Sequence, residues 1–111
     1  MLTVDKLREY GANVDEALQR CMGNAGFYIM LVNKSLGDER ISLLEEQIGK
    51  KDLEGAFETA HALKGMYTNL SLDPLSGPVC EMTELLRNKT DTDYSALIAE
   101  AKTQYERLKN L

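Results

Sequence analysis

A chain of 111 residues, with 43% apolar and 28% charged residues, has the composition of one soluble globular domain that can form its own core. The net charge of −5 argues against a nucleic-acid surface, which needs clustered Lys and Arg. No apolar run approaches the roughly 18 residues of a membrane helix, and no signal-peptide pattern opens the chain. We therefore expect a cytoplasmic protein without nucleic-acid or membrane partners.

Scarce aromatic residues, the absence of Trp and only two prolines favour a helical fold. Thr3 can cap a first helix that runs to about Tyr10, and Asn13 can cap a second helix over residues 14–22. A glycine follows each of these helices and provides a stop. We expect the two short helices, within residues 1–23, to cap the body of the fold.

Two further helices are predicted before residue 51. Asn24 can cap a third helix over residues 25–36, which is apolar over much of its circumference and must be partly covered by protein. A fourth helix is predicted over residues 39–50, with apolar residues three and four positions apart. Gly37 either separates these two helices or only bends one long helix, and the sequence leaves both readings open.

The last three helices are predicted from caps and prolines. Asp52 can cap a fifth helix that runs to about residue 70. Asp73-Pro74 is typical of a cap followed by proline at the first helical position. Pro78 lacks the N–H that a helix interior needs, so the sixth helix either kinks or begins near Pro78, and it runs to about residue 88. The seventh is predicted over residues 94–108.

Short connections make successive helices pack in opposite directions. The sequence therefore predicts a single all-α domain over residues 1–111. Its body, residues 24–109, is expected to be an up-down-up-down four-helix bundle, to which residues 1–23 add short N-terminal helices. We expect a monomer, and the starting Met and the absence of another domain suggest a free-standing protein.

The single histidine of the chain is predicted to face solvent from the fifth helix. At about 100° per residue, His61 lies nearly opposite the centre of an apolar stripe. Lys64 and Gly65 follow at i+3 and i+4 and so share its face. Lys64 can bring an ammonium to an anion on the ring, and Gly65 removes a crowding side chain although a helical glycine costs roughly 1 kcal/mol. The stripe comprises Leu53, Ala56, Ala60, Leu63, Met66, Tyr67 and Leu70.

The segment Ala60-His61-Ala62-Leu63-Lys64-Gly65, followed by Thr68-Asn69-Leu70, resembles the core motif of histidine-containing phosphotransfer (Hpt) domains. That motif reads roughly Ala-His-x-Leu-Lys-Gly, with a small residue and then an apolar residue further along the helix. This chain departs from it in two places. Thr68 is larger than the usual Ala, Ser or Gly, and Ser71 stands where many members have glycine. The resemblance covers roughly residues 24–109.

The resemblance implies a phosphorelay carrier in two-component signal transduction, not an enzyme in its own right. His61 would accept a phosphoryl group from a receiver-domain aspartate, through Nε2 as in the family, and pass it to another receiver. A neutral imidazole is a suitable nucleophile near pH 7. Lys64 would offset the charge of the phosphate, and Gly65 would leave access to the ring.

The same resemblance defines the expected partners: response-regulator receiver domains, with a hybrid histidine kinase as a further candidate. No cofactor is expected on this chain, because the receiver would bring the Mg²⁺ and the aspartate. The residues assigned to partner docking lie on the turns around the histidine: Phe57, Glu58, Thr68 and Asn69.

Two other functions fit parts of this sequence. Glu58-x-x-His61 has the spacing of di-iron bundle proteins, but that architecture needs a second such pair and two more inward-facing glutamates. We therefore expect no metal site. The other alternative is a non-catalytic helical adaptor that binds a receiver or a histidine kinase without carrying phosphate. An adaptor has no need of His61, Lys64 and Gly65 together, which argues against it.

Overall fold

The computed structural model describes all residues from Met1 to Leu111, and it contains seven α-helices and no strand. The all-α class predicted from the sequence is therefore confirmed. None of the helices combines the length and the apolar character that crossing a bilayer requires. The helices are α1 (Val4–Tyr10), α2 (Val14–Arg20), α3 (Ala25–Leu36), α4 (Arg40–Gly49), α5 (Leu53–Asn69), α6 (Asp73–Arg87) and α7 (Ser95–Lys109).

Four helices begin at the side-chain caps that the sequence predicts. In α1, α2, α3 and α5, a side-chain oxygen of the N-cap residue accepts a hydrogen bond from the backbone N–H three positions further on. A cap of this kind typically contributes about 1 kcal/mol, because it satisfies an N–H group that has no partner within the helix. The capping residues are Thr3, Asn13, Asn24 and Asp52.

The end of α2 and the junction of α3 with α4 refine the prediction. The second helix ends at Arg20 instead of residue 22, because the chain turns through left-handed backbone at Met22 (φ 57°) and Gly23 (φ 74°). The third and fourth helices are separate, so Gly37 marks a break. After this break, Asp38 accepts hydrogen bonds from the backbone N–H and the guanidinium of Arg40 and so supports the start of α4.

The structure decides between the two readings of α6 and corrects its cap. This helix begins at Asp73 and continues through Pro78, so it does not begin near that proline. Leu72, not Asp73, occupies the N-cap position, and no side chain caps the helix. An interior proline costs roughly 3 kcal/mol, because its ring lacks an N–H and crowds the carbonyl four residues earlier. Burial of the apolar stripe of α6 offsets this cost. The stripe comprises Leu75, Val79, Met82 and Leu86.

The main core lies among the last four helices. Helix α5 packs most extensively against α6 and also contacts α4, while α7 contacts both α6 and α4. The predicted stripe of α5 is buried at five positions and half-buried at Leu53 and Met66. Thr59, which the prediction left out, is buried as well. The face opposite the stripe is thereby left to solvent.

The N-terminal helices are attached at two places. Helix α1 contacts α7, where the Tyr10 hydroxyl donates to the carbonyl of Gln104 over 3.0 Å. Helices α2 and α3 reach the connection between α5 and α6. There, the Asn13 N–H donates to the carbonyl of Ser71 (2.9 Å), and the buried Tyr28 hydroxyl donates to the carbonyl of Leu70 (2.8 Å). The second set of contacts fixes α2 and α3 at the C-terminal end of the His61 helix.

Candidate functional site

His61 lies midway along α5, and its side chain is exposed to solvent. Its neighbours Ala60 and Leu63 are fully buried, so the helix holds the imidazole on the side away from the core. This is the placement that the helical periodicity predicts. A histidine in this position is free of the core and open to an external reactant.

An aromatic ring stacks on the imidazole. Phe57, one turn earlier on α5, has its ring centroid 5.7 Å from that of His61, with 24° between the two planes. The guanidinium carbon of Arg87, from α6, lies 5.1 Å from the Phe57 centroid. Stacking of this kind favours one ring orientation over others. Phe57 and Arg87 together therefore restrict how the imidazole turns.

Lys64 is engaged by a carboxylate of the neighbouring helix. Its Nζ lies 3.6 Å from one oxygen of Glu84, and the Nε of Arg87 lies 3.4 Å from the other oxygen. The side chain of Lys64 is 33% exposed and that of Glu84 is 56% exposed. The lysine predicted to serve His61 thus already has a partner in this structure.

An open groove runs along α5 from His61 toward the C-terminal end of the helix. No atom beyond the helix's own backbone and nearest neighbours lies within 4 Å of the position that a Cβ on Gly65 would take. Gly65 therefore leaves free space beside the imidazole and does not serve close helix packing. The groove is lined by Arg20, His61, Lys64, Gly65, Thr68 and Asn69.

The four residues predicted for partner docking are placed in three ways. Phe57 is half-buried against the imidazole, whereas Thr68 and Asn69 are exposed along the groove. Glu58 is exposed and forms no ion pair, and it does not line the groove. The structure therefore brings Phe57, Thr68 and Asn69 together with His61, and it leaves Glu58 beside them.

Arg20 lines the groove from α2, and sequence reasoning missed it. Its guanidinium donates to the carbonyls of Thr68 (3.3 Å) and Asn69 (2.9 Å) and to Ser71 Oγ (2.8 Å). It also pairs with Glu16. A cation is favourable at the C-terminal end of a helix, where unpaired carbonyls carry partial negative charge. Because this contact joins residues 48 positions apart in sequence, no local sequence pattern predicts it.

Glu84 and Arg87 are the other site residues that sequence reasoning missed. Their spacing on α6 is the i,i+3 pattern of a surface ion pair, which is a local signal. Whether that pair meets the His61 face depends on the register of α6 against α5, which the sequence does not specify. No group of three or more His, Cys, Asp and Glu side chains could hold a metal ion.

The fold and the site define a class of protein: an all-α domain that offers one accessible histidine in mid-helix, next to a lysine and a glycine. The Hpt domain family matches residues 34–111, well over half of the chain, and the protein belongs to that family. Comparison with curated proteins and with solved structures gives no match. Hpt domains are phosphocarriers that interact with receiver domains and kinases in phosphorelays. The chain therefore has a phosphotransfer-related role in two-component signalling.

Proposed function

We propose that this protein is a phosphoryl carrier, in which His61 accepts a phosphoryl group from a receiver-domain aspartate and passes it to a second receiver. One observation carries the proposal: the single histidine is exposed in mid-helix, with open space beside it at Gly65. A receiver must bring its aspartyl phosphate directly to the imidazole, so this access is what the transfer needs.

The transfer step exchanges one bond to phosphorus for another. The lone pair of Nε2 of the neutral imidazole forms the N–P bond while the O–P bond to the aspartate breaks, and its electron pair leaves with the carboxylate. Transfer to the second receiver reverses these roles. Most of the catalysis in phosphoryl transfer is positioning and charge neutralisation. The receiver supplies the Mg²⁺ and the aspartate, so this chain contributes the nucleophile and a cation and is not an enzyme in its own right.

Two features of the site support this division of roles. Lys64 lies one turn from His61 on the same face and can place its ammonium against the phosphoryl oxygens as a mobile point charge. Phe57 holds the imidazole by stacking. The ring therefore has less conformational freedom to lose when a partner binds. Docking of the receiver would use the surface around the ring, formed by Phe57, Glu58, Thr68 and Asn69.

The finer architecture is part of the same proposal. Helices α4 to α7 would form an up-down-up-down four-helix bundle, in which α5 presents His61 on its outer face. Short connections and the contacts of α5 with α4 and α6, and of α7 with α6 and α4, support this arrangement. We also propose that the protein acts as a monomer in the cytoplasm, where receivers and a hybrid histidine kinase would be its partners.

The decisive experiment is phosphoryl transfer from a panel of phosphorylated receiver domains. The wild-type protein should acquire a label that is acid-labile and base-stable, and the His61→Gln variant should acquire none. Because His61 is exposed, we expect the variant to keep the wild-type circular dichroism spectrum and unfolding transition. If the wild type binds a receiver and yet takes no label from any member of the panel, the protein is an adaptor and not a carrier.

A further inference from the structure

Glu84 stands between two cations at the edge of the site. One carboxylate oxygen lies 3.6 Å from Lys64 Nζ, and the other lies 3.4 Å from Arg87 Nε. Arg87 also lies over the ring of Phe57, which stacks on His61. The residue that would neutralise a phosphate is therefore tied, through one glutamate, to the residues that orient the imidazole.

Resting on the proposed function, we infer that Glu84 is a positioning residue that holds Lys64 in the unphosphorylated protein and releases it to the phosphoryl group on His61. The glutamate would keep the flexible ammonium beside the site before phosphate arrives. After transfer, the phosphoryl group would take its place as the partner of Lys64.

The Lys64–Glu84 ion pair is weak, so little free energy is needed for Lys64 to exchange Glu84 for the phosphoryl group. At 3.6 Å, Lys64 and Glu84 form an ion pair with no hydrogen bond between them, and more than half of the glutamate side chain is in solvent. Surface pairs of this kind contribute little to stability, because water screens them and both side chains lose freedom. A phosphoryl group carries close to two negative charges at neutral pH, against one for a carboxylate. Lys64 should therefore prefer the phosphoryl group.

Arg87 lowers the cost of the exchange for the glutamate. When Lys64 leaves, Glu84 keeps the guanidinium one turn further along α6 as its partner. The carboxylate is then not left unpaired, and it need not follow Lys64 toward the phosphate, which would repel it. Only the contact between Lys64 and Glu84 is lost, because Arg87 can remain over Phe57 throughout.

The inference predicts a shift in the transfer equilibrium. With a receiver that labels the wild type, the Glu84→Gln variant should hold a larger phosphorylated fraction, because Lys64 is then free and a repelling charge is gone. We expect the equilibrium constant for transfer to rise on the order of two- to fivefold, as suits a partly exposed ion pair. Phosphorylated protein is measured against phosphorylated receiver, at low and at high salt, and the rise should shrink at high salt.

Glu81→Gln is the matched control. Glu81 lies one turn earlier on α6, is exposed and forms no ion pair, so its replacement makes the same change in net charge without touching Lys64. We expect it to change the equilibrium constant much less than Glu84→Gln. In a Lys64→Met background, most of the Glu84→Gln effect should disappear, and a residue with only a structural role would not show this coupling.

Each outcome separates the two proposals. If Glu84→Gln and Glu81→Gln have equal effects, or if Lys64→Met leaves the Glu84→Gln effect intact, Glu84 does not act through Lys64 and the inference is overturned. In both cases the wild type is still labelled and the carrier role stands. If the wild type takes no label while it binds a receiver, the carrier role itself has failed, and the inference fails with it.

Discussion

Two parts of this protein share one core but differ in the hydrogen bonds that attach them to the rest of the fold. Helices α4 to α7 are joined by apolar stripes, of which Leu63, Leu75 and Met82 are fully buried members. Helices α2 and α3 bury Val14, Ala17, Tyr28 and Val32 in the same core. They are also fastened by hydrogen bonds to one short segment, residues 68–71. That segment ends the helix that carries His61.

Apolar burial and hydrogen bonds have different consequences for the stability of the protein and for the position of its helices. Burial of apolar surface supplies most of the free energy of folding, and it is not directional. Hydrogen bonds contribute less each, but they fix the position of one backbone against another. We therefore expect the packed part, helices α4 to α7, to determine most of the stability of the protein, and the hydrogen bonds of α2 and α3 to determine how the far end of the groove is shaped.

The largest effect should come from the packed part. Leu63→Ala removes a side chain with no solvent exposure from the core face of α5, two residues after His61. We expect it to lower the free energy of unfolding by about 2 to 5 kcal/mol, through lost burial and the cavity that remains. Urea denaturation measures this value. A loss well under about 1 kcal/mol would mean that this face of α5 is not at the centre of the core.

A smaller effect should follow when one polar attachment is cut. The buried hydroxyl of Tyr28 donates to the carbonyl of Leu70 over 2.8 Å, and burial raises its pKa to about 12. Tyr28→Phe keeps the ring and removes this donor, and it should lower the free energy of unfolding by about 1 to 2 kcal/mol. Hydrogen exchange should also rise in α3 before it rises in α5.

Tyr67→Phe is the matched control for the Tyr28 variant. The hydroxyl of Tyr67 is also buried, but it has no hydrogen-bond partner. Its removal should leave the free energy of unfolding unchanged or raise it, because an unpaired buried hydroxyl costs free energy in the folded state. Equal losses for the two variants would show that the Tyr28 attachment is not special.

Asp38, at the junction between α3 and α4, should make a pH-dependent contribution to the free energy of unfolding. Hydrogen bonds from Arg40 hold the pKa of Asp38 below its usual range. The folded protein therefore binds this proton less readily than the unfolded chain, and the contribution of Asp38 is complete above the usual pKa of about 4 and is lost as pH falls through the lower folded value. At neutral pH, Asp38→Asn should lower the free energy of unfolding by about 0.5 to 1 kcal/mol.

Chemical denaturation at several pH values checks this sign. The gap between wild type and Asp38→Asn should be constant near neutral pH and should close as pH drops below about 4. A gap that stays the same at low pH would mean that the substitution acts through packing and not through the charge of Asp38.

The smallest effect is expected when Ser71 is replaced by glycine. The φ of Ser71, 53°, is left-handed, a conformation that glycine adopts without strain. Its hydroxyl, however, accepts from Arg20 and donates to Glu16. Ser71→Gly removes both the strain and these hydrogen bonds, so the free energy of unfolding should change by less than about 0.5 kcal/mol.

Ser71→Ala separates the two contributions. Alanine keeps the strained backbone and loses the hydroxyl, so it should lower the free energy of unfolding by about 1 kcal/mol relative to wild type. The same unfolding experiment measures both variants. If alanine is as well tolerated as glycine, the side-chain hydrogen bonds of Ser71 do not help to hold α2 against the end of α5.

The sequence predicts what depends on near neighbours. The caps at Asn13, Asn24 and Asp52 need only a side-chain oxygen and an N–H three residues away. His61, Lys64 and Gly65 share a face because helical geometry alone puts them there. The local sequence therefore predicts these placements without any information on how the helices pack.

What the sequence did not predict depends on packing between helices. The sequence leaves open whether α6 runs through Pro78, and it does so because burial of its apolar stripe offsets the cost of the proline. Arg20, Glu84 and Arg87 reach the site from other helices, and their arrival depends on register and crossing angle. The family motif marks Ser71 only as a departure, whereas the structure gives it two partners on α2. A local pattern cannot specify such contacts.

The position of Arg20 has a consequence for how this domain is delimited. The match to the Hpt domain family begins at residue 34, in the last turn of α3, so Asn13, Arg20 and Tyr28 all lie before it. A fragment trimmed to the matched region would keep His61 and Lys64 but would leave the carbonyls of Asn69, Leu70 and Ser71 without these three partners. In practice this phosphotransfer domain therefore extends beyond the family match, back to Asn13 at the start of α2.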